Sequence, residues 1–425
     1  MSSLYIYNIA RLCGVINDGR QRLSGREMAV MEAIDDAYLY VRDGVIKDFG
    51  KASSAEGRLQ RELCIQDGTL MVDAAGGMIL PSFCDSHTHI VYAESREQEF
   101  VDKIRGLSYA EIARRGGGIL NSADRLHELS EDELYDRAMV RVREIVSKGT
   151  GAVEIKSGYG LNTADELKIL NVIKRISDET PLRVVSTFLG AHAVGRKFAG
   201  RQSDYVDLVV EEMIPEVGHR QLADYIDVFC DEGFFTPQET SRILEAGKKW
   251  GMIPKIHGQE LADSGGVEVA VSHGALSVDH LESMTDADIE MLKGCDTMPT
   301  ALPGTSFFLN MPFAPGRKII DNGLPLAIAS DYNPGSTPSG DMKFAVSLAC
   351  IKMRLLPEEA LNAATINGAY AMGLGKDYGS ITRGKTANFF ITSPIPSLDY
   401  IPYAYTTSVI RSVFLQGKEI CTEAL

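Results

Sequence analysis

The sequence holds no apolar run approaching the ~20 residues that a bilayer-spanning helix needs, so no membrane partner is expected. Its seven cysteines include no C-x-x-C pair, and an odd number cannot all be bridged within one chain. A reducing compartment fits that usage, with most of the cysteines acting as small core hydrophobes. Positive charge is in short supply: 43 Lys and Arg stand against 58 Asp and Glu, a formal net charge of −15. A phosphate backbone wants a clustered basic face, so no nucleic-acid partner is expected, and an anionic small substrate would need a local cation. The opening MSSLYIYNIARLCGV lacks a basic stretch followed by a long apolar stretch and a small-residue cleavage site, which predicts a cytoplasmic protein. Gly116-Gly117-Gly118 lacks the Lys and Ser/Thr of a phosphate-binding loop and reads as a flexible lid hinge.

What is present is ordinary globular composition, 44% apolar and 24% charged over 425 residues. That length accommodates a barrel of about 250 residues with an added domain. Residues 1–76 read as short strands and turns, with Asp43-Gly44 between two apolar runs as a hairpin signal. ITRGKTANFFIT and SVIRSVFLQGKEI, after about 380, have the same character. Between them, strands expected near 78–85, 151–157, 182–189, 225–230, 252–257, 276–280, 296–301 and 324–330 alternate with helical segments. Glu131 to Ser147 and Ala164 to Ile176 are periodic, Thr236-Pro237-Gln238-Glu239 looks like a capped start, and Met284 to Leu292 is amphipathic. The expected α/β architecture is a (β/α)8 TIM-type barrel over 77–379, with a small β-sandwich domain from 1–76 and 380–425. The stretch from 86 to 130 is long enough to form a substrate lid.

Polar residues gather at the expected strand ends, where such barrels keep their active sites. His87 and His89 follow strand 1, His192 follows strand 3, His257 ends strand 5, His280 ends strand 6 and Asp331 follows strand 8. In a strand, positions i and i+2 face the same way, so His87 and His89 address one site. The other three of the eight histidines, His127, His219 and His273, fall in helical or loop segments. His87, His89, His257 and Asp331 supply three nitrogens and one oxygen, a set suited to Zn2+ or Fe with water completing the coordination. Such an ion lowers the pKa of water from 15.7 to about 7, which makes the site hydrolytic. The end of strand 4, Asp227-Val228-Phe229-Cys230-Asp231, has no lysine to bridge a second ion, so one ion per chain is expected. Lys156, on strand 2, reads as an ion-paired barrel lysine.

HTHIVYAESRE, GGGI, EIKSGYGL, TFLGAH, HGQE, VDHLE and SDYNPGS together resemble the amidohydrolase superfamily, and within it the imidazolonepropionase family, over essentially the whole chain. The resemblance implies hydrolysis of 4-imidazolone-5-propanoate (imidazolone propionate) to N-formimidoyl-L-glutamate, and a homodimer. It implies substrate contacts from Arg96, which could pair with the propionate, from Tyr109, Tyr159 and His192, and from Asn333, Gly335 and Ser336. Glu260 could pass a proton to a ring nitrogen, Asp331 could accept one from the attacking water, and His280 could orient that water or stabilise the oxyanion. For Gly335 the plain alternative is a tight turn after Pro334, and for Glu260 a helix start. Asn388 stands where the superfamily usually has aspartate, which touches a structural contact of the end domain. Two other classes remain to be separated: a cyclic aminohydrolase of the cytosine-deaminase type, which would release ammonia, and a non-catalytic assembly protein on the same barrel.

Overall fold

The computed structural model describes residues 3–107, 111, 117–422 and 425. The chain opens on β1 (Ser3–Cys13), β2 (Ala33–Arg42) and β3 (Val45–Lys51). Asp43 and Gly44 take φ of 51° and 75° and turn β2 into β3, the backbone twist an Asp-Gly hairpin supplies. β4 (Leu70–Asp73) and β5 (Met78–Pro81) both run parallel to β1.

The strand expected over 78–85 is in fact two strands. After Ser82 the chain leaves the first sheet and begins β6 (Phe83–Thr88), the first stave of the barrel. The barrel continues through β7 (Thr150–Lys156), β8 (Arg183–Ala191), β9 (Tyr225–Cys230), β10 (Ile253–Pro254), β11 (Ile256–Gly258), β12 (Ser277–His280), β13 (Met298–Ala301) and β14 (Ala327–Ile328). β10 and β11 are two short pieces of the fifth stave, both paired with β9. Neighbouring staves are parallel throughout. β6, β7 and β9 are buried along their whole length, as expected of a parallel sheet covered by helices. The last stave is shorter than the 324–330 expected. Its continuation closes the barrel: Asp331 N donates to His87 O at 2.9 Å and His89 N to Tyr332 O at 2.9 Å.

The helices follow their sequence signals. Ser130 and Glu133 form a capping box on the helix Glu131–Ser147, and Thr236 and Glu239 form one on Pro237–Lys248. The second periodic segment spans Thr163–Glu179, and the short amphipathic one Asp286–Leu292. The long stretch after β6 carries helices Glu97–Ile104 and Ile119–Glu128, and Gly118, at φ 86°, precedes the second. Among the described residues no helix is long and apolar enough to cross a membrane.

β15 (Phe389–Thr392), β16 (Ile410–Leu415) and β17 (Lys418–Glu419) bring the end of the chain onto β5. The resulting eight-stranded sheet runs β17-β16-β15-β5-β1-β2-β3, with β4 also on β1. Ile6, Leu39, Ile79, Phe389 and Phe414 belong to its own buried core. Asn388 joins this sheet to the barrel: its Nδ2 donates to Gly151 O at 2.8 Å while its Oδ1 accepts from Gln416 N at 2.8 Å. An aspartate there could not donate to the Gly151 carbonyl, so the amide suits this contact.

Candidate active site

The C-terminal ends of the barrel strands bring five histidines together. The side-chain nitrogens of His87, His257 and His280 lie within 4.8 Å of one another, as do those of His89, His192 and His257. His87, His89 and the Asp331 carboxylate form a third such group. Asp331 Oδ1 is 3.6 Å from His87 Nε2 and 3.8 Å from His89 Nε2. All four expected ligands are buried. His127, His219 and His273 lie on outer helices, away from this cluster.

Carboxylates deeper in the barrel hold two of these rings. Asp279 Oδ2 is 2.7 Å from His87 Nδ1, and Asp227 Oδ2 is 3.0 Å from His257 Nδ1. A carboxylate on Nδ1 holds the proton there and leaves Nε2 as a lone-pair donor. His87 Nε2 and His257 Nε2 are buried with no hydrogen-bond partner, and His257 Nδ1 meets Asp227 as a close ion-pair contact rather than in hydrogen-bond geometry. Burial holds His87 and His89 well below the ordinary imidazole range, with the neighbouring cations and histidines adding to it. Buried, unpartnered imidazole nitrogens converging beside a carboxylate fit a divalent metal ion.

The other Asp331 oxygen is pinned: Oδ2 accepts from Thr305 Oγ1 at 2.6 Å and from Ser336 Oγ at 3.1 Å. Asp331 takes a left-handed φ of 54°, and His280 one of 87°. Such backbones persist in non-glycine residues only where the surroundings enforce them, at a cost on the order of 1–3 kcal/mol.

Glu260 does not start a helix. It lies in the turn after β11, well before the helix Gly266–His273, and its backbone N donates to Asp231 Oδ2 at 2.8 Å. Its carboxylate is 3.5 Å from His280 Nε2, while Glu282 stands 3.6 Å from Nδ1 on the other side of the ring. Burial pushes Glu260 up to about 7, against the pull of His280. Burial also works to discharge His280, but Glu260 and Glu282 outweigh it and carry the imidazole up to about 10. The two carboxylates flanking the ring thus favour the protonated imidazole, against burial.

A cavity of about 910 Å³ opens above this floor, and His89, Arg96, Tyr159, His192, Asn333, Gly335 and Ser336 all line it. Tyr109 lies outside the described residues. His192 stacks on His89 with ring centroids 5.1 Å apart, and its Nδ1 is 3.1 Å from Gly158 O. Arg96 Nε and Nη2 donate to Glu99 Oε2 at 2.9 and 2.5 Å. Glu99 Oε1 in turn accepts from Gly118 N at 2.8 Å, tying the two helices of the long loop together. The Asn333 amide is spent on its own loop, accepting from Gly335 N and Ser336 N and donating to Asp331 O and Ser336 Oγ. Gly335 takes no left-handed turn but leaves room for Arg96, since a Cβ there would fall 2.4 Å from Arg96 Nη1 and the guanidinium would have to shift.

Sequence reasoning passed over Asp227, Asp279, Thr305 and Glu282, which hold the site's side chains from behind, and Lys103, whose Nζ reaches Gly335 O at 3.3 Å beside Arg96. For Asp227 a signal existed: an acid inside the otherwise apolar buried strand Tyr225–Cys230 needs a partner.

Comparison with known proteins agrees with this geometry. The model of the Amidohydrolase family matches residues 233–420. The E. coli guanine deaminase structure superposes with a TM-score of 0.76 at 13% identity, covering 99% of each chain. An adenosine deaminase from Xanthomonas campestris with bound zinc gives 0.67 at 16% identity, over 98% of this chain and 92% of that one. At such identities these neighbours speak for the fold alone, and fold and family together define an amidohydrolase. Imidazolonepropionase from Flavobacterium psychrophilum is 52% identical over 98% of this chain and 99% of its own. That from Thermoanaerobacter pseudethanolicus is 38% identical over 97% of this chain and 96% of its own. The chain belongs to the imidazolonepropionase family.

Proposed function

We propose that this chain hydrolyses 4-imidazolone-5-propanoate to N-formimidoyl-L-glutamate, a step of histidine breakdown. The observation that carries the reading is the pairing, in one cavity, of an imidazole and carboxylate floor with two cations on the wall, Arg96 and Lys103. The floor suits an ion and the attacked ring, and the wall suits the propionate. Identity of 52% to a relative of that name supports it over a deaminase, which shares the barrel at far lower identity.

His87, His89, His257 and Asp331 would hold one Zn2+ or Fe ion. When bound, it supplies Lewis acidity and lowers the pKa of a water to about 7. Arg96 fixes the propionate, and Tyr159 and His192 flank the ring. Asp331 Oδ1 takes a proton from the attacking water as its oxygen bonds to the ring carbonyl carbon. His280 faces the oxyanion that forms there. The His280–Glu260 pair gives a proton to the ring nitrogen, the C–N bond breaks, and the carbonyl carbon, still bonded to its neighbouring ring carbon, becomes a carboxylate as the proton held by Asp331 returns to the pair. Ser336 acts through Asp331, and Asn333 through the loop that carries Gly335.

The seven free thiols go with a cytoplasmic location, and the homodimer implied by the family is tested by sedimentation. The decisive experiment is turnover of freshly prepared 4-imidazolone-5-propanoate by metal-replete protein, with the product weighed by mass spectrometry. Gain of one water without ammonia is expected. Ammonia release, or no turnover with metal bound, would overturn the reading.

A further inference from the structure

On the Nδ1 side of the two carboxylate-held histidines lies a fully buried ammonium. Lys156, the last residue of β7, places Nζ 2.6 Å from Glu154 Oε1, 2.8 Å from Asp227 Oδ2 and 3.6 Å from Asp279 Oδ2. Those last two oxygens are the same atoms that face His257 Nδ1 and His87 Nδ1. We propose that Lys156 is a positioning residue for the metal site, its one ammonium fixing Asp227 and Asp279 together and through them aiming His257 and His87 before any ion arrives.

The Lys156 ammonium donates to Glu154 and Asp227 and faces Asp279 as a longer ion pair, so one charge addresses both holding carboxylates. The remaining oxygens of the holding pair are already engaged. Asp227 Oδ1 accepts from Val228 N at 2.7 Å and His257 N at 3.1 Å, and Asp279 Oδ1 from Ser277 Oγ at 2.6 Å. Neither carboxylate can turn without giving up a bond in a site closed to water, where replacement partners are lacking. The barrel contains its own control in Lys255, also fully buried. Its Nζ contacts Glu154 and the carbonyls of Ser86 and Ala371, and neither of the histidine-holding carboxylates.

Positioning and simple charge predict opposite results. If Lys156 acted only as a positive charge near a cation, Lys156→Met would tighten metal binding and Lys156→Arg would leave it unchanged. As a positioning residue it weakens binding in both, by the 10–100-fold typical of losing support behind a ligand. The test is the Zn2+ affinity of stripped protein by chelator competition, with circular dichroism as the check on folding, for the unaltered chain, both position-156 variants and Lys255→Met. Expected are losses of at least about tenfold at 156 and of less than about threefold in Lys255→Met. Unchanged or tighter binding at 156, or an equal loss in Lys255→Met, would overturn the inference.

Should the position-156 variants fail to fold, the stripped, unaltered protein decides. Low-field Nδ1–H resonances from both His87 and His257 are expected before metal is added, and absence of either overturns the preset aim. The inference rests on the metal reading of the site. Failure of Zn2+ to bind the unaltered chain would sink both, whereas unchanged affinity at position 156 would sink this one alone.

Discussion

Adding a single methyl group at Gly335 tests whether Arg96 is the propionate's partner. The new Cβ would stand 2.4 Å from Arg96 Nη1 and 3.1 Å from Cζ, whereas ordinary contact begins at 3.4 Å. The guanidinium must therefore retreat by about 1 Å, and its two bonds to Glu99 resist rotation in place. Gly335 has no positive φ, so alanine adds no backbone strain and the fold should keep its Tm within about 2 °C. Displacing a substrate-positioning group by 1 Å can cost on the order of 100-fold in rate. Gly335→Ala is accordingly expected to lower kcat/KM about 10–100-fold, or ~1.4–2.7 kcal/mol, mostly through KM. Steady-state kinetics on the natural substrate and on its propionamide analogue give the assay. The analogue, lacking the carboxylate, should be nearly indifferent to the methyl group. Arg96→Ala should raise KM by itself, and the double variant should be no worse than Arg96→Ala alone. An unchanged KM, or an equal loss on the amide, would refute the pairing.

Asp331→Ala should abolish turnover while circular dichroism stays that of the unaltered chain, and substantial residual activity would remove Asp331 from the chemistry. Elemental analysis of active protein should give about one metal per chain, and two tightly held ions would contradict the single site. Stability should respond to Lys385, a buried ammonium held by the carbonyls of Gly375 and Tyr378. Burial lowers its pKa from 10.5 to about 8, so between those values the unfolded chain binds more protons and stability rises with pH. Urea titrations should show a gain on the order of 3 kcal/mol from pH 8 to 10.5, absent in Lys385→Met. A flat difference between the two proteins would rule out the buried charge as its source.

Much of the site was legible because barrel chemistry sits at strand ends, and strand ends can be read from apolar runs that stop at polar residues. His87, His89, His257, His280 and Asp331, which the fold brings to one rim, were all read that way. The break at Ser82 was not, since one serine in an otherwise apolar run from Met78 to Phe83 is no turn signal and burial on two different sheets leaves the same pattern. Glu260 sits three residues past His257, a spacing that reads equally as a turn or a helix start, and only the Asp231 carboxylate gathering the amides of 260–262 makes it a turn. Asn333 read as a substrate contact because amides in site loops can reach ligands. Its four bonds within the loop are a three-dimensional fact that no spacing encodes. Asp227 and Asp279 escaped because their partners lie on other strands: Asp279 and His87 are 192 positions apart.

The sheet built from both chain ends constrains the order of assembly during synthesis. Met78 N bonds Thr392 Oγ1 across 314 positions, and β5 cannot pair with β15 until nearly all of the protein has left the ribosome. Until then β5 presents an unpaired edge one residue before the stave that carries His87, and such edges invite association with other chains. Early folding therefore has to rest on the local strand–helix units of the barrel, whose contacts close over short distances in sequence. A circular permutant joining the old ends and opening at an exposed barrel loop would present both halves of the sheet consecutively. It should refold with less aggregation at the same final stability.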